Sequence, residues 1–96
     1  MFKSSGQKEV ERLVKHIHFL SEKSTDSQKD LMTKYLADAK ENLDHNKWGL
    51  AMEMLLENIH EISFKIEPAT IELTKTAFKE CQMDYSKFAF IEKLVE

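Results

Sequence analysis

The sequence predicts an all-α fold, a compact antiparallel bundle of four main helices with a short C-terminal fifth. Apolar residues recur at helical spacing along nearly the whole chain, and no stretch alternates convincingly with period two over strand length. Only two glycines and one proline interrupt it, so few positions force the backbone out of a helix. The 96 residues suit one domain, residues 1–96, with no internal repeat or linker. A chain of that size forms an ordinary core without help from metal or disulfide.

The first helix is expected from Ser4 or Ser5 to about Ser21, with Val10, Leu13, Val14, Ile17 and Leu20 as its inward stripe. Ser4 and Gln7 have capping-box spacing. The small polar run Glu22–Asp26 ends it, and Thr25 with Gln28 repeats the capping spacing ahead of a second helix to about Asp44. Met32, Tyr35, Leu36, Ala39 and Leu43 share one face of that helix; Asp30, Lys34, Asp38, Lys40 and Glu41 share the other. His45-Asn46 punctuates next, with Asn46 read as N-cap of a third helix over Lys47–Ile62. This helix is the most apolar and is expected at the centre, presenting Trp48, Met52, Leu55, Ile59 and Ile62, widened by Ala51, Met54 and Leu56.

Phe64 and Ile66 alternate with polar neighbours, too briefly to build a sheet alone. Pro68 fits the first position of a fourth helix to about Gln82, with Ile71, Thr74, Phe78 and Cys81 inward and Leu73 and Ala77 beside them. Tyr85–Val95 forms the last helix through Phe88, Ile91, Leu94 and Val95, with Phe90 off the stripe. The expected core is led by Leu13, Ile17, Leu36, Leu43, Trp48, Met52, Leu55, Ile59, Phe78 and Ile91.

The net charge of -3 is unevenly spread: residues 1–24 carry +2, residues 25–61 carry -4 and residues 62–96 carry -1. A sequence pI near 5.8 gives no basic stripe for nucleic acid, so direct nucleic-acid binding is not expected. The lone Cys81 fits a reducing compartment, the opening Met1–Gly6 lacks an apolar leader core, and no run is long enough for a membrane span. A cytoplasmic protein is expected.

The chemistry-bearing residues are sparse. His16 and His18 point about 200° apart on a helix and cannot chelate one ion. Glu57 and His60 have the Glu-x-x-His spacing of di-iron bundles, but a single copy lacks the second motif and further glutamates such a site needs. No His or Asn stands near Cys81 in the sequence, which reads as a small buried hydrophobe. No Gly-rich phosphate loop exists and nothing is spaced as a nucleophile with its base, so no enzyme, metal or cofactor is expected.

What stands out is acidic. Asp38, Glu41, Asp44, Glu53, Glu57 and Glu61 surround the corner before Trp48 and follow the third helix. Glu53, Glu57 and Glu61, at i, i+4 and i+8, form a ridge of like charges that repel by a few tenths of a kcal/mol each. Basic partners would relieve that repulsion, as would lysines of neighbouring helices.

The run Trp48-Gly49-Leu50-Ala51-Met52-Glu53-Met54-Leu55-Leu56-Glu57-Asn58-Ile59, followed by Ile66, Pro68, Ile71 and Phe78, resembles the MafI-like immunity proteins. These small helical proteins accompany secreted or contact-delivered bacterial toxins, including those of contact-dependent growth inhibition. The resemblance covers roughly residues 35–83 and rests on apolar spacing and composition rather than a catalytic motif. It implies a cytosolic inhibitor of a cognate toxin domain, commonly a nuclease, whose phosphate-holding basic site an acidic helical surface would fill or flank. The contact residues expected on that reading are Asp38, Glu41, Asp44, Trp48, Glu53, Glu57 and Glu61. Two other classes fit the residues: an adaptor or homodimer joined through Phe64, Phe90 and Met54, and a metal-binding bundle around Glu57 and His60.

Overall fold

A computed structural model describes residues 4–96, so the reading of Met1, Phe2 and Lys3 as free of a leader lies outside the described residues. The fold is all-α: α1 (Ser5–Ser21), α2 (Asp26–Asp44), α3 (Trp48–Glu61), α4 (Pro68–Glu80) and a C-terminal 3-10 segment (Tyr85–Leu94). α1 packs on α2 and α4, α2 on α3, and the 3-10 segment lies against both α3 and α4, closing a ring of five elements. α1 and α3 also touch across the ring, so α1 shares the central place expected of α3 alone.

Cross-links fix the directions. Gln28 at the start of α2 donates to Ile62 O at the end of α3 (3.1 Å), so these helices run antiparallel. Gly6 at the start of α1 lies under the end of α4, where an added Cβ would stand 3.0 Å from Cys81 Sγ and 3.2 Å from Glu80 O. His16, near the far end of α1, meets the buried Thr70 in the first turn of α4, with 2.6 Å between Nε2 and Oγ1. α1 and α4 are therefore antiparallel as well.

The core contains most of the expected residues: Leu13, Ile17, Leu43, Met52, Leu55, Ile59, Phe78 and Ile91 are buried, as is Thr74. Leu36 and Trp48 are only half-buried at its edge. Phe64 is buried too, which removes it from any self-interface, and half-buried Phe90 packs between His60 and Phe88.

The helix ends differ from expectation in an instructive way. Ser4 does cap α1, accepting from Gln7 N–H at 3.1 Å, but the Gln7 amide donates to Glu11 rather than closing the box. Thr25 makes no side-chain cap bond, and the Gln28 side chain, instead of reaching back to it, donates to Ile62 O. Asn46 is not the cap of α3. It belongs to the end of α2, in the left-handed region at φ 60°, and Lys47 takes the N-cap position instead.

Asn46, Ser63 (φ 54°) and Gln82 (φ 58°) all occupy the same place, the left-handed residue of a Schellman motif. At each, two amides return to the helix: Lys47 N–H to Asn42 O and Asn46 N–H to Leu43 O; Phe64 to Ile59 and Ser63 to His60; Met83 to Phe78 and Gln82 to Lys79. These bonds satisfy terminal carbonyls and turn the chain sharply, which ends α4 at Glu80 rather than Gln82.

The C-terminal segment is 3-10 rather than α-helical. With three residues per turn, Tyr85, Phe88, Ile91 and Leu94 eclipse one another and form a single inward row. Phe78 meets both Tyr85 (5.8 Å between ring centroids) and Phe88 (5.3 Å), Phe88 meets Phe90 (5.5 Å), and Phe90 meets His60 (4.5 Å). This relay of rings joins α4 to α3, whose backbones do not come close to each other. The Phe64–Ile66 stretch runs beneath it: Ile66 donates to Leu94 O (3.1 Å) and accepts from Glu96 N–H (3.3 Å), an isolated parallel bridge rather than a strand.

Candidate functional site

Helical phase, at about 100° per residue, decides where the acidic residues stand. On α3 the stripe Met52, Leu55, Leu56 and Ile59 is buried. Leu50, Glu57 and Glu61 lie opposite that stripe and are exposed; Met54 leans toward α2, where Asn42 Nδ2 approaches its sulfur at 3.7 Å. Glu53 leans the other way, on the His60 flank, and is half-buried.

On α2 the stripe Met32, Ala39 and Leu43 is buried and Glu41 stands opposite it. Asp38 is half-buried on the flank shared with Asn42, facing α3. Asp44 takes the opposite flank and lines a trough between α2 and α1, together with Glu11, Lys15 and Lys40. Trp48 is half-buried against the core at the start of α3.

The seven expected contact residues therefore do not form one patch. Asp38, Glu57 and Glu61 share a front across the α2–α3 seam; Glu41 and Glu53 flank it; Asp44 belongs to another face. The sequence reading missed Leu31 and Leu50 in the other half of this front, and set Met54 both on the inward stripe and in a self-interface. Leu31 (41% exposed), Leu50 (43%) and Met54 (39%) are large apolar side chains left open to solvent among those carboxylates, so Met54 does not widen the core stripe. The positions of Leu31 and Leu50 off the inward stripe were the available signal.

Among the described residues, none of Asp38, Glu41, Asp44, Glu53, Glu57 and Glu61 takes part in an ion pair. On α1, Arg12 pairs with Glu9 at 3.5 Å, and His18 Nε2 lies 3.9 Å from Glu22, a charge pair only when the imidazole is protonated.

The remaining chemical groups are structurally engaged. Thr70 Oγ1 accepts the Glu67 N–H at 3.2 Å, leaving its proton available to His16 Nε2. His16 and His18 point to different sides of α1, as their spacing requires. Burial, reinforced by Glu80, pushes the Cys81 thiol up, which keeps it protonated and a poor nucleophile. His60 packs its ring on Phe90, and among the described residues no group of three or more His, Cys, Asp or Glu could hold a metal ion.

Two titrating groups stand at the start of the C-terminal segment. Asp84 accepts from the Ser86 hydroxyl (2.7 Å) and backbone N–H (3.0 Å), which holds its carboxyl below the ordinary range. Tyr85 is raised above its ordinary value, first by burial and then by Glu92, to which its hydroxyl donates at 2.7 Å. No described helix is long and apolar enough to cross a membrane. Comparison with protein-family models, with curated proteins and with solved structures finds no match for this chain.

Proposed function

We propose that the protein is a non-catalytic, cytoplasmic inhibitor of the immunity-protein kind, which binds a basic toxin domain, a nuclease in the first instance, through the front of α2 and α3. One observation carries the reading: among the described residues none of the carboxylates of that front is held in an ion pair, and exposed Leu31, Leu50 and Met54 are set among them. Burying the apolar side chains supplies affinity. The unpaired carboxylates steer a basic partner and select against acidic ones. Direct nucleic-acid binding is disfavoured by the same charge, since phosphates would be repelled.

The test uses the product of the neighbouring reading frame, expected to end in a basic toxin domain. With that domain immobilised, this chain should bind it and suppress its activity, and raising salt should slow association. Replacing Glu53, Glu57 and Glu61 by Lys together should weaken binding by about tenfold or more. Unchanged affinity of that variant at low salt would remove the ridge from the interface. A neighbouring domain that ignores this chain altogether would overturn the inhibitor reading.

A further inference from the structure

The trough between α1 and α2 is distinct from the acidic front and has a form of its own. It encloses about 560 Å³. One wall is Glu11, Val14/Lys15, His18 and Ser21, the other Thr33, Leu36/Ala37, Lys40 and Leu43/Asp44. Each wall therefore follows an i, i+3/i+4, i+7, i+10 ridge over about three turns, roughly 15 Å. Two such ridges side by side offer a continuous groove of the width and length that a third helix fills by laying its own ridge between them. Val14, Leu36 and Leu43 supply the apolar floor, and the small residues Ser21, Thr33 and Ala37 give it depth.

The rim is polarised. Glu11 and Asp44 lie at one end, where α2 also presents its negative carbonyl end; Lys15 and Lys40 follow, and the far end is mixed, with His18 3.9 Å from Glu22 and Lys29 nearby. The geometry points to a partner protein's amphipathic helix of about three turns, lying antiparallel to α2 with its positive N-terminal end over Asp44 and acidic residues toward Lys15 and Lys40. A partner that also covered the α2–α3 front would grip this chain on two faces, but the assignment does not depend on that front.

A stapled helical peptide of about 15 residues, with leucines at i, i+4, i+7 and i+11, lysines in its first turn and glutamates beyond, tests this directly. Titrated into the full chain, it should shift the backbone resonances of Val14, Leu36 and Ala37 and leave Leu50 and Met54 in place. Ala37→Arg projects from an exposed position into the trough, so it should keep the native circular dichroism while weakening binding by about tenfold or more. The peptide with its two charge sets exchanged should bind several-fold more weakly, and Asp44→Lys should reverse that preference. Four results would overturn the assignment: no shifts at millimolar peptide, shifts indifferent to Ala37→Arg, a concentration-dependent dimer abolished by Ala37→Arg, or stoichiometric binding of anilinonaphthalene sulfonate in the trough with none of the peptide.

Discussion

Ser63 and Gln82 hold left-handed backbone without being glycine, while both glycines of the chain sit inside helices with negative φ. An L-residue with a Cβ pays about 1–2 kcal/mol for that conformation, less for Asn. Ser63→Gly and Gln82→Gly should therefore each stabilise the fold by about 0.5–1 kcal/mol, with Asn46→Gly gaining less, read as shifts of the urea midpoint. The glycines respond oppositely to one another. Gly6→Ala drives a Cβ to 3.2 Å from the Glu80 carbonyl oxygen as well as onto Cys81 Sγ, and should cost about 1–3 kcal/mol. Gly49→Ala meets only the flexible end of Met83, at 3.2 Å from Sδ, so its gain in helix propensity should leave it neutral or slightly stabilising. Thr70→Val removes the buried hydroxyl that serves both Glu67 N–H and His16, and should cost about 1–3 kcal/mol. Apart from the local Glu67–Thr70 bond, none of these contacts was legible in the sequence, because each joins residues far apart in the chain or depends on the sign of φ.

Among the elements, α3 and the 3-10 segment bear the most on stability. Leu55 on α3 is 1% exposed, and Leu55→Ala should cost about 2–5 kcal/mol through lost burial and the cavity left behind. An unmoved denaturation midpoint would contradict the packing. The C-terminal segment adds a pH signature. Tyr85 has a folded value above its unfolded one near 10, so its contribution is complete below about pH 10 and is lost as the pH rises beyond it. Stability measured from pH 9 to 11.5 should fall more steeply for the native chain than for Tyr85→Phe. Asp84 works in the opposite sense: its folded value is depressed, so its effect holds above the ordinary carboxylate range near 4 and disappears as the pH falls through the folded value. Carboxyl titration of Asp84 by NMR should show the depressed midpoint, and Ser86→Ala should raise it. The inward row of this segment was readable as Phe88, Ile91 and Leu94, yet its 3-10 winding was not: spacing by three is shared by both helix types.

At the scale of the whole molecule, five elements enclose one core within 38 × 25 × 18 Å, and charge is sorted by face rather than averaged. Basic residues line the outside of α1, and unpaired carboxylates mark the α2–α3 front. The segmental charge of the sequence anticipated that polarity. It did not anticipate that Asp44 would turn away from the ridge, that Glu53 would be half-buried, or that Leu31 and Leu50 would stand open with Met54 beside Glu57 and Glu61. For the charge-reversed ridge, the fold itself should be kept or slightly altered, since like charges at i and i+4 on α3 are exchanged for other like charges; far-UV circular dichroism checks this.

The sequence by itself determined the helices, their inward stripes and the bundle, because the 3.6-residue period and the scarcity of glycine and proline act within single segments. Tertiary structure alone decided the ring order, the Schellman ends, the aromatic relay that fills the gap between α3 and α4, and which acidic residues share a face. Those outcomes depend on how neighbouring helices are rotated and slid against one another. That is a property of paired surfaces, and no single segment of the chain contains it.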